Sequence, residues 1–218
     1  MSDISQQQKM ETKKRILNKA EEMFFRFGVK SVTMDDIARE LGISKKTIYQ
    51  HFTDKEDIVL QFVMVQIDKD KCEHEAMDQM RLNAIEKLIL FSENTRKTMT
   101  EMNPSMIFEI QKYHPFAWAA FHAFLEEFAF GSIIQDIKSG MAEGWFRPDT
   151  NTELMARLRL EQVKLAFNNQ LFPPSQYNAF QVQETFLLHF VRGILTEKGH
   201  DYFNTLYNKQ SPNENQIS

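Results

Sequence analysis

The sequence predicts an all-α protein. Apolar residues recur at intervals of three and four along most of the 218 residues, and this spacing places them on one side of a helix. Capping residues, glycines and a Pro-Pro pair divide these stretches, and no segment shows the strict alternation that is typical of a half-buried strand. Together these signals predict about nine helices, without an internal repeat or a low-complexity linker.

The first predicted helix runs from about Lys9 to Gly28, where glycine ends it. Its apolar stripe consists of Ile16, Ala20, Met23, Phe24 and Phe27. We expect this stripe to pack against the two short helices that follow, because each of them is too short to bury its own apolar side chains.

Residues 33–55 predict two short helices joined by a tight turn. Thr33 is a favourable N-cap, and Asp36, three residues later, completes a capping box. Gly42 stops the first helix, and Ser44 caps the second. In the second helix Ile48 and Phe52 face inward, so the outward side chains are those of Lys45, Lys46, Tyr49 and Gln50.

This outward face suits contact with DNA. The two lysines can meet phosphates, Gln50 can pair with a base edge in the major groove, and Tyr49 can contact a phosphate or a thymine methyl group. A solvated polar face is the alternative, since every amphipathic helical hairpin has one. The outward residues alone leave both interpretations open.

The spacing of residues 33–55 resembles the DNA-binding segment of the tetracycline repressor (TetR) family, which typically reads T-x-x-x-I-A-x-x-x-G-x-S-x-x-T-x-Y-x-H-F-x-x-K. The matching positions are Thr33, Ile37, Ala38, Gly42, Ser44, Thr47, Tyr49, His51, Phe52 and Lys55. The resemblance implies that residues 1–55 form a three-helix helix-turn-helix domain that binds DNA, with Lys55 as a phosphate contact. Lys46 and Gln50 stand where many members have glycine and an aromatic residue, so base preference does not carry over.

The full set of residues expected at the DNA is Thr33, Met34, Ser44, Lys45, Lys46, Thr47, Tyr49, Gln50, His51 and Lys55. The distribution of charge supports this location. Residues 1–55 carry 11 Lys and Arg against 8 Asp and Glu, and residues 56–218 carry 15 against 22, so the net charge of −4 divides into +3 and −7. A positive module on an acidic body favours local phosphate contacts over non-specific adsorption.

The resemblance implies a helical-bundle domain for effector binding and dimerisation over residues 56–207, and the polar residues 208–218 are expected to form a disordered tail. Aromatic and Met residues crowd the middle of this domain. The candidates for an effector pocket are Phe91, Met102, Met106, Tyr113, Trp118, Phe121, Phe124 and Phe128. A pocket of this composition favours an apolar or aromatic ligand, whereas the alternative for each residue is ordinary core packing.

Two long helices are predicted last, from Thr150 or Asn151 to about Leu171 and from about Gln176 to Lys198. Members of the family dimerise by pairing such helices into a four-helix bundle, so the resemblance implies a homodimer. The candidate interface residues are Phe167, Phe186, Phe190 and Ile194.

The sequence contains no recognisable catalytic or metal-binding motif. Cys72 and His74 are two residues apart and point to different faces of a helix, so we predict no metal site, catalytic residue or cofactor. The lone Cys72 excludes an internal disulfide. No apolar run approaches the ~20 residues of a membrane span, and the N-terminus lacks the pattern of a signal peptide, so we expect a cytoplasmic protein without a membrane partner.

These observations predict a transcriptional repressor. We expect it to bind a pseudo-palindromic operator in double-stranded DNA as a homodimer, and to be released by a small, apolar effector that the sequence does not identify. The alternative is a protein whose N-terminal domain, residues 1–55, does not read DNA. Such a protein would be a helical ligand-binding or interaction protein, or an enzyme with scattered catalytic residues.

Overall fold

The computed structural model describes residues 2–210, with side chains described from residue 6 to residue 208. These residues form eleven α-helices and one π-helical turn, and their only β-structure is an isolated antiparallel bridge between Phe146 and Leu195. The predicted all-α class is confirmed.

The elements are α1 (Ser2–Phe27), α2 (Met34–Leu41), α3 (Lys45–Tyr49), α4 (Lys55–Gln79), α5 (Ala84–Glu101), α6 (Met106–Tyr113), α7 (Pro115–Phe124), the π-helical turn (Leu125–Ala129), α8 (Phe130–Ala142), α9 (Thr152–Ala166), α10 (Ala179–Ile194) and α11 (Glu197–Gln210). None of these helices combines the length and the apolar content that crossing a bilayer requires.

Near the N-terminus two predicted helix ends need correction. Helix α1 begins at Ser2 rather than near Lys9, although it ends before Gly28 as predicted. Helix α3 ends at Tyr49, so Phe52 follows the helix instead of belonging to it. The Phe52 amide still donates to the Ile48 carbonyl at 3.0 Å, which keeps the two side chains on the same inner side.

The C-terminal half is divided more finely than the sequence predicts. The helical residues from Pro115 to Ala142 are interrupted by the π-helical turn. Helix α9 ends at Ala166 rather than near Leu171. The last predicted helix is two helices, because the Thr196 hydroxyl accepts from the Gly199 amide at 3.1 Å and so starts α11.

Helix α11 also corrects the predicted tail. It continues to Gln210, so residues 208–210 are helical rather than disordered. The rest of the predicted tail, residues 211–218, lies outside the described residues.

The described chain divides into two compact units. The first comprises the N-terminal residues up to Cys72 together with Thr98–Phe124. Its core consists of side chains that are almost completely buried, among them Ile16, Phe24, Ile37, Ile48, Phe52 and Ile58. Four residues of the stripe predicted on the first helix pack in this core, Ile16, Ala20, Met23 and Phe24, whereas Phe27 is 49% exposed and lies outside it. The head predicted over residues 1–55 lies within this unit.

The second unit comprises Glu73–Lys97 and the residues from Leu125 onward. Its core includes Ile85, Ile137, Phe146, Leu160, Ile194 and Phe203. Helix α9 packs against both α8 and α10 in this unit. The Phe146 ring lies directly against Gly140, where any side chain would collide with it, so the loop after α8 is held close to that helix.

Candidate nucleic-acid interface

Helix α2 starts with the predicted capping box. The Asp36 amide donates to the Thr33 hydroxyl at 3.1 Å, and the Thr33 amide donates to the Asp36 carboxylate at 3.0 Å. The Thr33 hydroxyl also donates to that carboxylate at 2.6 Å. These bonds satisfy amides at the helix start that have no intrahelical partner.

The turn between α2 and α3 depends on Gly42, which has φ = 63°, a left-handed conformation that favours glycine. After this reversal the Ile43 amide donates back to the Ala38 carbonyl at 3.0 Å. Ser44 then caps α3, since its hydroxyl accepts from the Thr47 amide at 3.0 Å. Three local features thus fix the angle at which α3 leaves α2.

Helix α3 is anchored on one side and exposed on the other. Ile48 is 0% exposed and lies in the core of the first unit, whereas Tyr49 is 48% exposed. Lys45, Lys46 and Gln50 are also exposed. The four side chains point outward as their spacing predicts, and their contact with DNA stays a prediction.

The two lysines of α3 differ in their surroundings. Lys45 Nζ lies 2.8 Å from the Asp35 carboxylate, and this hydrogen bond raises the pKa of Lys45. Lys46 has no ion-pair partner among the side chains of residues 6–208. In the free protein Lys46 is therefore the lysine of α3 that is directly available to a phosphate.

His51 and Lys55 lie at the edge of this face and are half-buried. Burial, and then the charges of Lys9 and Lys13, lower the pKa of His51. Burial also lowers the pKa of Lys55, while Glu109 and Asp36 oppose that shift. Lys55 Nζ donates to the Lys30 carbonyl at 3.4 Å, a long bond that a phosphate oxygen can replace.

One predicted DNA contact is wrong for its side chain. Met34 is 7% exposed and belongs to the core of the first unit, so only its backbone faces the start of α2. The hydroxyls of Thr33, Ser44 and Thr47 are all used in capping or in the contact between Ser44 Oγ and Thr47 Oγ1 at 2.8 Å. These residues shape the turn whether or not they reach DNA.

No local pattern in the sequence predicts the contacts that Glu109, in α6, and His114, directly after α6, make within the first unit. Glu109 accepts from the Lys30 amide at 2.7 Å and from the Ser105 hydroxyl at 2.8 Å. His114 Nδ1 lies 2.6 Å from the Glu56 carboxylate at the start of α4. Glu56 and His114 are 58 residues apart, and Lys30 and Glu109 are 79 residues apart, which is beyond the reach of any local pattern.

The predicted pocket residues do not come from one unit. Met102, Met106, Tyr113, Trp118, Phe121 and Phe124 belong to the first unit, and Phe91 and Phe128 belong to the second. Met106 is 2% exposed within the first core, whereas Phe91 is 45% exposed. A cleft in the second unit, between α5, α10 and α11, includes none of the eight residues. Their role in binding an effector stays a prediction.

The predicted interface residues also separate into two groups. Phe190 and Ile194 are 5% and 1% exposed within the second core, so they pack inside their own chain, and their place in an interface stays a prediction. Phe167 and Phe186 are half-buried, and the Phe186 ring packs edge-on against Phe172. The exposed apolar side chains of α9 are instead Leu154, Leu158 and Leu165.

One group of potential metal ligands occurs among the described residues of the second unit. His74, Asp78 and Asp136 have ligand atoms within 4.8 Å of one another. Lys87 Nζ donates to Asp136 Oδ1 at 2.7 Å and also donates to Asp78. Because this ammonium group is paired with both carboxylates, the group forms a salt-bridge network.

Residues 16–62 match the family described as bacterial regulatory proteins, tetR family. This segment of the chain resembles the tetR family of regulators. The matched residues contain α2, the Gly42 turn and α3, so the family match falls on the segment whose exposed face is described above.

Relatives of the chain are HTH-type transcriptional regulators. The chain is 26% identical over 177 residues to the HTH-type transcriptional regulator YvaF of Bacillus subtilis strain 168, which covers 78% of this chain and 90% of that protein. It is 40% identical over 60 residues to an HTH-type transcriptional regulator of Staphylococcus aureus strain USA300. That alignment covers 28% of this chain and 31% of that protein.

Solved structures of low sequence identity share the fold. A transcriptional regulator from Saccharomonospora viridis, solved in complex with choline, superposes with a TM-score of 0.65 at 20% identity, covering 86% of this chain and 100% of that one. A TetR-family regulator from Agrobacterium tumefaciens superposes with a TM-score of 0.66 at 15% identity, with the same coverage of 86% and 100%.

Proposed function

We propose that this chain is a tetR-family repressor that binds a pseudo-palindromic operator as a homodimer and is released by a small, apolar effector. We infer that it acts by binding rather than by catalysis, in the cytoplasm where its DNA lies. The observation that carries the proposal is the exposed face of α3, on which Lys46, Tyr49 and Gln50 lie opposite the fully buried Ile48. A helix anchored in this way can enter the major groove without unfolding its support.

The homodimer is supported by the exposed apolar residues of α9. Leu154, Leu158 and Leu165 are 68%, 47% and 39% exposed, and their spacing places them on one face of the helix. Burial of this face against a second copy would remove apolar surface from water. Two copies related by a two-fold axis match the symmetry of a palindromic site.

The effector is supported by the structure of the Saccharomonospora viridis regulator, since that protein of similar fold holds a small molecule. We propose that a small molecule binds this chain as well and that binding releases the operator.

The experiment selects bound sequences from random DNA with the purified chain and then measures affinity by fluorescence anisotropy at two salt concentrations. Tyr49→Ala should weaken binding to the selected sequence by about 1–3 kcal/mol, the usual value of a lost base contact. Lys46→Ala should weaken binding to all sequences and lower the salt dependence by about one phosphate contact. Gln50→Ala should change the preferred sequence more than the salt dependence.

Tyr177→Ala is the matched control, because Tyr177 is 46% exposed and lies in the other unit. This variant should bind the operator like the wild type. A selection that enriches no sequence, or a Tyr49 variant with unchanged affinity, would contradict the proposed docking of α3.

A further inference from the structure

Arg159, on the inner face of α9, is a buried cation without a counter-charge. The residue is 8% exposed, and its Nη1 atom is buried without a hydrogen-bond partner. No carboxylate among residues 6–208, whose side chains the structure describes, forms an ion pair with it. Burial lowers the pKa of Arg159 to about 10, so the guanidinium group remains charged at neutral pH.

An uncompensated charge of this kind destabilises the folded chain. Moving an ion out of water costs several kcal/mol unless an opposite charge or a set of hydrogen bonds replaces the lost hydration. The exposed Arg157, two residues earlier, shows the ordinary arrangement, because its guanidinium lies 2.6 Å from the Glu126 carboxylate. Arg159 therefore lacks a partner that its own helix neighbour possesses.

A second unsatisfied polar group lies beside it. Gln162 follows one turn later on the same side of α9, and its Oε1 atom is buried without a hydrogen-bond partner. Rotation of this amide by 180° exchanges the oxygen for an NH₂ donor, an assignment that depends only on the available partner. A guanidinium and an amide one turn apart can thus present donors to the same carboxylate.

Apolar side chains lie on the same side of α9. Ala156 is 0% exposed, Ala166 is 3% exposed, and Met155 packs against the core of the second unit. A ligand here would place its charged group on Arg159 and an apolar body among these side chains.

We propose that Arg159 and Gln162 anchor the carboxylate of a small, largely apolar organic acid inside the second unit. A paired carboxylate supplies the missing counter-charge through two parallel hydrogen bonds to the guanidinium. That this acid acts as the effector rests on the proposed function, but its binding does not.

A carboxylate from a second copy is the competing occupant, and the helix geometry disfavours it. At 100° per residue, Arg159 lies roughly 100–140° around α9 from Leu154, Leu158 and Leu165, the exposed face that we assign to the dimer. A helix seated on that face would not reach a side chain that its own chain already buries.

The test is thermal denaturation of the full chain with hexanoate, octanoate and benzoate at about 10 mM, and with the three matched amides. Binding of an acid should raise the Tm of the wild type by about 3 °C or more, whereas the amides should not. Arg159→Met should abolish the response to acids and should not lower the Tm of the ligand-free chain, because it removes a charge that has no partner. Gln162→Leu should weaken the response to acids.

Arg157→Met is the matched control on the same helix and should keep the response to acids. The proposal is overturned if no acid raises the Tm of the wild type, or if the amides raise it equally. It is also overturned if Arg159→Met lowers the Tm of the ligand-free chain, and a simultaneous shift from dimer to monomer in sedimentation would assign Arg159 to the second copy. Operator binding by the ligand-free wild type and by Arg159→Met tests the proposed function separately.

Discussion

Asp36 shows how one side chain connects capping with acid stability. Its carboxylate accepts hydrogen bonds from the hydroxyl and the amide of Thr33, and these bonds lower its pKa from the ordinary value of 3.8. The folded state therefore binds the proton less tightly than the unfolded chain. The resulting stabilisation is complete above the pKa of the unfolded chain and is lost as the pH falls through the lower folded pKa.

Replacement of Asp36 by Asn should therefore have an effect that depends on pH. We expect Asp36→Asn to reduce the free energy of unfolding near pH 6, and the difference from the wild type to shrink as the pH falls to about 3. Urea denaturation at a series of pH values measures this difference. Asp68→Asn, on the exposed surface of α4, is the control for loss of one carboxylate. A difference for Asp36→Asn that stays constant between the two pH values would contradict the role of the capping box.

At the scale of elements, the turn between α2 and α3 is determined by backbone conformation rather than by crowding. A Cβ atom added at Gly42 would meet nothing within 4 Å, but the residue has φ = 63°. Gly131, in α8, is equally open but has ordinary helical geometry. An added side chain meets no steric contact at either glycine, so a difference between the two positions measures the backbone strain at Gly42.

The same substitution should have opposite effects at these two positions. Gly42→Ala should lower the free energy of unfolding by about 1–2 kcal/mol, because alanine is strained in the left-handed region. Gly131→Ala should raise it by up to about 1 kcal/mol, because alanine favours the helix. Chemical denaturation of both variants measures the pair. A Gly42→Ala variant as stable as the wild type would show that the turn tolerates another conformation.

Elements whose ends carry a local signal were predictable from the sequence. Thr33, Gly42 and Ser44 each act on backbone groups within a few residues, so their pattern gives the boundaries of α2 and the start of α3. Thr196 is a comparable signal, but the apolar residues of α10 run directly up to it and hide the break. The ends of α9 and α10 were misplaced because apolar periodicity continues into the adjoining loops.

Contacts between distant residues were not predictable. The apolar pattern of α10 places Phe190 and Ile194 on one face but does not say whether that face meets its own chain or a second copy. The buried Glu109 and its bond to the Lys30 amide follow only from the assembled first unit. The missing counter-charge of Arg159 likewise becomes visible only when its neighbours are in place.

At the scale of the whole molecule, the dimer proposed above is formed by the exposed face of α9 rather than by α10. Leu154 is 68% exposed and Leu158 is 47% exposed, whereas the nearest apolar side chains of α10 are already in the core of the second unit. Charging the exposed face should therefore separate subunits, whereas changing the inner face should unfold them.

Leu154→Glu combined with Leu158→Glu should convert the dimer to a monomer without loss of helical content, because two carboxylates would have to be buried in each half of the interface. Analytical ultracentrifugation measures the mass, and circular dichroism measures the helical content. Met64→Glu is the control, since Met64 is 44% exposed on α4. A double variant that remains dimeric would place the interface elsewhere.

The ion pair between Lys45 and Asp35 has a consequence for how α3 meets DNA. A lysine that is free in solution displaces a condensed cation when it binds a phosphate. Lys45 is already 2.8 Å from a carboxylate, so it must exchange one anion for another, and the freed Asp35 carboxylate must then find a cation of its own. In the proposed complex with DNA, Asp35 would compete with the phosphate for Lys45, so this contact would be an exchange reaction with little gain from ion release.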